Sequence, residues 1–300
     1  MSGGPSIIRK PGAERSNTEL INSLRSNFLA AQEDYSPPPS ATNGNGNNHG
    51  SESPKPQIAD WTNRDGNDFY IPRIDWSMAG LSEEEHQYDI TVKLFFLPGA
   101  DVKDRALYIQ DAIKLVLEEL DVEHIDLLIV SFPGMSFDGD CEWEADKKNS
   151  EQGNDDEEIA TWPAFEDLYN NGIVKKLGLA EYGSEKLARF LKRVKVRPQV
   201  CQINVKDCCN VPQPLVKLAK REDIELLTHN DCTNILPRGT LRELLGQGER
   251  GAGILSQTKR GIDGMKGELT PEWVVKYTAV VRDRGVIEDK GYFAVAELHE

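Results

Sequence analysis

"IDLLIVSFPG", residues 125–134, decides how the chain is read. Asp126 leads into Leu127, Leu128, Ile129 and Val130, and the polar and turn-forming stretch from Ser131 to Gly134 then stops the run. An unbroken apolar run suits a parallel strand covered on both faces, whereas a half-exposed strand alternates. A β/α scaffold presents its chemistry at the carboxyl ends of such strands. Ser131 stands at that end.

The same texture extends outward from this strand. "ITVKLFFL" (90–97), "VKKLGLAEY" (174–182), "QVCQINV" (199–205), "IELLTHND" (224–231) and "GYFAVAEL" (291–298) read as further strands. Between them, helical spacing predicts helices over 104–120, 161–172, 184–194, 212–222, 240–248 and 271–285. Gly172 closes one, Ser184 is placed as the N-cap of the next, and Pro271 falls in the first turn of the last. Strands alternating with helices imply a parallel sheet with right-handed crossovers. The expected fold class is therefore α/β, a (β/α)8 TIM-barrel-like scaffold, with an open sheet as the alternative. The missing strands must come from residues 1–89, where "DFYIPRI" (68–74) is the best source; the barrel is expected to be incomplete at its N-terminal side.

Residues 1–60 read as a weakly structured segment. It holds one short amphipathic helix over 17–32, with Leu20, Ile21, Leu24, Phe28 and Leu29 on one face, and a Pro/Gly/Asn/Ser linker over 36–56. Residues 61–300 form the barrel domain, interrupted by an acidic insert (136–158) and a glycine-rich loop (246–268). The insert is expected to be a solvated, disordered loop, or else a surface for a basic partner.

A formal net charge of −15 over 300 residues argues against nucleic acid or an anionic membrane as the main partner. The first residues lack the apolar core of a signal peptide. Five cysteines with no CxxC spacing fit a reducing compartment, so a cytoplasmic location is expected. Cys208 and Cys209 are adjacent and read as free thiols, because a disulfide between neighbours closes a strained ring.

"GQGERGAG" contains a literal GxGxxG at Gly246, Gly248 and Gly251, but it follows a helix instead of a strand and reads as a surface loop. Lys93 lies mid-strand, where an ammonium must either pair with a carboxylate in a barrel mouth or face solvent. His229 and Asp231 lie two apart at a strand end, as an acid–base pair or as groups that satisfy the loop and each other.

Taken in order, "ITVKLFFL", "LEELDVEHIDLLIVSFPG", "FEDLYNNGIVKKLGLAEY", "VRPQVCQINV" and "AKREDIELLTHND" resemble the aldo-keto reductase barrel. "VKLF" (92–95), "QINVKDCCNVP" (202–212), "LLTHND" and "RDRGVIEDKGY" (282–292) resemble, more specifically, the regulatory (modifier) subunits of glutamate–cysteine ligase. That likeness covers about residues 90–298. Active reductases of the superfamily use an Asp–Tyr–Lys–His group with NADPH. Lys93 matches the lysine and Gln202 a cofactor glutamine, but Ser131 stands where the histidine belongs. Ala180 and Glu181 replace a Ser–Asn pair, and the basic phosphate-binding motif has no counterpart after the last strand. A serine hydroxyl cannot replace an imidazole that titrates near neutral pH.

The resemblance thus implies a non-catalytic subunit with no cofactor and no metal. It implies a heterodimer with the glutamate–cysteine ligase catalytic subunit in glutathione biosynthesis, in which the regulatory chain improves glutamate affinity and weakens glutathione feedback. It also implies a short strand ahead of "GGPSIIRK". The candidate interface comprises Cys208, Cys209, His229, Asn230 and Asp231. The rival reading is a divergent NADPH-dependent reductase using Lys93 and Tyr70, the latter five residues after Asp65 in "DGNDFY".

Overall fold

The computed structural model describes residues 15–36, 56–137, 141–204, 211–231, 234–248, 251–256 and 265–299. The 36–56 linker, apart from its ends, and parts of the glycine-rich loop lie outside these residues, as do Cys208 and Cys209.

The apolar runs become one sheet. A small separate hairpin, β1 (Asn63–Asp65) and β2 (Asp68–Tyr70), precedes it. The sheet contains β3 (Tyr88–Phe96), β4 (Leu127–Ser131), β5 (Leu177–Ala180), β6 (Val200–Asn204), β7 (Glu225–His229), β8 (Glu268–Val281) and β9 (Val286–His299), in the order β7-β6-β5-β4-β3-β8-β9. β3 to β7 are parallel neighbours, while β8 runs antiparallel to both β3 and β9. The helices are α1 (Arg15–Asp34), α2 (Ile58–Trp61), α3 (Arg105–Leu120), α4 (Glu142–Asn149), α5 (Asp155–Asn170), α6 (Ser184–Leu191), α7 (Gln213–Glu222) and α8 (Thr240–Leu245). This is the α/β scaffold with its alternating units, and among the described residues its main sheet has seven strands with β7 and β9 at the edges. "DFYIPRI" contributes only β2, which does not join the main sheet. Among the described residues no helix is long and apolar enough to cross a membrane.

The two faces of β3 explain the layering. Ile90, Val92, Leu94 and Phe96 bury against Ile109, Ile113 and Val116 of α3, in the larger core. Phe95 joins a second cluster on the other face, with Leu20 and Phe28 of α1, Trp61 of α2 and Val274 of β8. Period-2 alternation of a strand sends neighbours to opposite faces, so Lys93, two residues before Phe95, shares the face covered by α1. The face expected of α1 holds for Leu20 and Phe28, but Leu29 is exposed.

Two sequence expectations are corrected. Residues 271–285, expected to be helical, form most of β8 and the turn after it. Trp273, Tyr277 and Val281 have helical spacing, but Thr270, Val274, Val275, Thr278, Val280 and Val281 favour extended backbone. β8 pairs with β3 from Tyr88↔Val281 to Phe96↔Trp273 and with β9 on its other side. That position buries both faces of Pro271–Val275, which imitates a buried helix in sequence, while Lys276, Thr278 and Val280 beyond it are only partly buried.

The acidic insert is also not a disordered loop where it is described: it contains α4 and the first turn of α5. Its polar groups are spent inward. Asp146 accepts hydrogen bonds from Ser184 N and Oγ, each at 2.6 Å, and Asn149 Oδ1 accepts from Gly183 N at 2.5 Å. The α6 N-cap is therefore Gly183, with Ser184 inside the first turn. Glu158 accepts from Tyr182 Oη at 2.6 Å and lies 2.9 Å from the buried Lys186 ammonium. Asp155 to Glu158 sit in the first turn of α5, where the helix dipole favours carboxylates.

Candidate functional site

The site grows from Lys93, which is 4% exposed in the middle of β3. Its Nζ donates to Gln202 Oε1 at 2.8 Å and to Asp231 Oδ2 at 3.1 Å, and lies 3.3 Å from His229 Nδ1. Of the two readings open for this lysine, the structure selects pairing inside the scaffold. Gln202 and Asp231 take two of its three protons, and the third lies near His229 Nδ1, whose single lone pair also receives the Asp231 backbone N–H. Burial pulls the Lys93 ammonium below the usual lysine value, with the Asp231 and Glu181 carboxylates opposing.

Directly across the β3–β8 register stands Lys276. Like charges directly opposite on a sheet repel. Asp231 resolves the conflict: its Oδ1 lies 3.0 Å from Lys276 Nζ while Oδ2 holds Lys93. Burial alone raises the Asp231 pKa, but the two ammonium groups outweigh it and hold the carboxyl at about 2. Asp231 follows the last described strand of the parallel series, so this one carboxylate ties that end of the sheet to its middle. An ion cluster does here what further strands do in a closed barrel.

His229 is the second inward group. Its Nδ1 accepts from Asp231 N at 3.0 Å, so the ring proton sits on Nε2, which lies 2.5 Å from Glu181 Oε1. Nε2 faces the Glu181 carboxylate, but among the described residues neither it nor Glu181 Oε1 makes a hydrogen bond. Glu181 is 2% exposed and has φ of 63°, a left-handed conformation that side chains adopt at a cost. Asn149 Nδ2 of α4 donates to its carbonyl at 2.5 Å and so supports it.

These side chains border a cavity of about 390 Å³, lined by Lys93, Gln202, His229, Asp231, Lys276 and, from α1, Glu19, together with two threonines, an asparagine and an isoleucine. Sequence reading found Lys93, Gln202, His229 and Asp231 but not their union. It missed Lys276, hidden in the stretch read as helix, and Glu19.

Other expected site residues fall elsewhere. Ser131 is buried at the end of β4, in register with Phe95. The imidazole at the lysine comes instead from β7. Tyr70 lies on β2 and feels Asp68, Asp65, Lys114 and Asp111, the latter two on α3 against the opposite face of the sheet. It is not among the partners of Lys93, which removes it from the acid–base group of the rival reading. Of the interface candidates, the His229 and Asp231 side chains are only 7% and 13% exposed and turn inward to satisfy charges. Asn230 is exposed. Gly246, Gly248 and Gly251 follow α8 in a tight turn, with Gly251 packed on the Gly246 carbonyl, which is the loop expected.

Comparison with known proteins places this arrangement. The model of the aldo/keto reductase family matches residues 77–245, more than half of the chain. A Schizosaccharomyces pombe protein provisionally named a glutamate–cysteine ligase regulatory subunit is 27% identical over 231 residues, covering 73% of this chain and 75% of that one. The glutamate–cysteine ligase regulatory subunit of Rattus norvegicus is 29% identical over 136 residues, 45% of each chain; the match thus spans under half the length of that relative. Among solved structures, an aldose reductase from Giardia lamblia is 21% identical with a TM-score of 0.34, covering 51% of each chain.

Proposed function

The chain belongs to the aldo/keto reductase family, and we propose that within it this protein works without catalysis, as the regulatory subunit of a glutamate–cysteine ligase. It would bind the ATP-dependent catalytic subunit in the cytoplasm, raise its affinity for glutamate and weaken its inhibition by glutathione. The observation that carries the non-catalytic half is the set of groups around Lys93. Its ammonium is held by Gln202 and Asp231 and lies beside His229 Nδ1, which takes the Asp231 backbone N–H, and none of its partners is a tyrosine. A proton donor must reach the reacting atom with a free proton, and no tyrosine stands at Lys93 to carry one. Ser131, at the position of the family histidine, brings no group that titrates near neutral pH. The similarity to regulatory subunits supports the partner.

Regulation of this kind requires only that the chain bind one state of its partner better than another. The coupling is typically about 1–3 kcal/mol, or roughly 5- to 150-fold in affinity. Asn230, exposed at the "THND" end, remains a candidate contact together with Cys208 and Cys209. The test is co-purification with the ligase catalytic subunit, followed by its glutamate dependence with and without this chain. A stable complex with a lowered glutamate requirement supports the proposal. Lack of a complex, or NADPH-dependent aldehyde turnover by the isolated chain, overturns it.

A further inference from the structure

In the regulatory reading the groups at Lys93 serve only as an argument against catalysis and Asn230 only as a candidate contact, yet the cavity they border has the dimensions of a site. Its volume lies in the range of small-molecule pockets. Lys93 is held by Gln202 and Asp231, so what faces an occupant is a different set. Lys276, 25% exposed, gives one hydrogen bond to Asp231 and has further donor positions. Gln202 accepts from Lys93 through Oε1, which leaves its amide NH2 to donate. Thr91 and Thr278 stand opposite each other across β3 and β8 and bring hydroxyls to the wall. Glu19 of α1, 31% exposed, brings a carboxylate from the opposite element; Lys290 takes its Oε1 at 2.8 Å.

Charge then selects the ligand. Within the lining two ammonium groups, Lys93 and Lys276, balance two carboxylates, Asp231 and Glu19; Lys290, outside the lining, pairs with Glu19 Oε1, so a ligand cation would meet Oε2. A ligand with net charge of either sign meets no excess of the opposite sign. A molecule with both signs at its two ends meets a partner at each. We propose that this cavity binds a small zwitterion of the α-amino-acid class, its carboxylate on Lys276 with the Thr91, Thr278 and Gln202 donors, and its ammonium on Glu19. Because Glu19 belongs to α1, occupancy also ties that helix to the sheet. The inference stands apart from the regulatory reading: it needs no partner chain and survives if no ligase binds.

The experiment is isothermal titration calorimetry of the full chain with L-alanine, L-serine and L-glutamate, and with acetate and ethylamine as the separate halves. At least one amino acid is expected to bind saturably at millimolar or lower concentration. Each half should bind at least about tenfold more weakly, since losing one charged contact costs roughly 1.4 kcal/mol or more. Lys276→Met should abolish binding. Should that variant fold poorly, Glu19→Gln on the rim of α1 should weaken the amino acid about tenfold while leaving acetate unchanged. Absence of binding by the folded wild type overturns the proposal. So does acetate binding as tightly as the amino acid, or Glu19→Gln binding as the wild type does.

Discussion

Removing the Asp231 carboxylate tests the central physical claim, that an ion cluster closes this scaffold. Asp231→Ala leaves Lys93 and Lys276 facing each other in register, with no carboxylate between them. Two charge-assisted hydrogen bonds vanish, at 3.1 and 3.0 Å, each worth about 1.5–3 kcal/mol. Breaking a buried ion pair from one side costs about 3–5 kcal/mol, which agrees. Neutralising Asp231 without deleting it costs less. Its carboxyl titrates at about 2 against an ordinary 3.8, which corresponds to about 2 kcal/mol.

The sign follows from the direction of that shift. A depressed carboxyl pKa stabilises the fold in full above the ordinary value, and the contribution fades as pH falls from about 4 through about 2. Asp231→Asn mimics the protonated state, so it should cost about 2 kcal/mol at neutral pH and flatten the acid limb. Urea unfolding at pH steps from neutral to about 2 measures both. If Asp231→Ala costs under about 1 kcal/mol, or if Asp231→Asn keeps the wild-type acid limb, the clamp is not what holds the sheet's end to its middle.

Other outcomes follow from the same structure. Lys186 is buried and holds Asp155 at 2.7 Å and Glu158 at 2.9 Å, so Lys186→Met should cost about 3–5 kcal/mol in urea unfolding. Asp146→Ala removes both anchors on Ser184 and should raise amide exchange across α4, residues 142–149, while the parallel strands stay protected. A Cβ on Gly291 would collide with the Tyr277 ring, so Gly291→Ala should lower stability by about 1–3 kcal/mol, read as a drop in Tm. Phe28→Ala removes the α1 ring that packs at 6.3 Å from Trp61 and should cost about 3–5 kcal/mol, whereas the exposed Leu29 should tolerate Ala with little change.

What the sequence alone determined is the alternation from β3 to α7. Each strand there is a short apolar run covered by helices on one side, and each helix carries one apolar stripe, so local pattern and burial coincide. Lys93 stood out because an ammonium inside an apolar strand must either pair or reach solvent, whereas Gln202 was legible only through the family resemblance. Other features only the tertiary structure decided. "PEWVVKYTAVV" is extended because β3 and β9 flank it, and a strand buried on both faces carries no period to read. The acidic insert folds because Asp146, Asn149 and Glu158 find donors on β5–α6 and at Lys186, partners some 30 residues away that composition does not reveal. Asp231, read as an interface candidate, is instead the counter-ion of two lysines that β3–β8 pairing sets side by side, with three strands between β3 and β7 in the sheet order. A charge in a loop sequence reads as solvated; whether it is depends on what the fold brings within 3 Å of it.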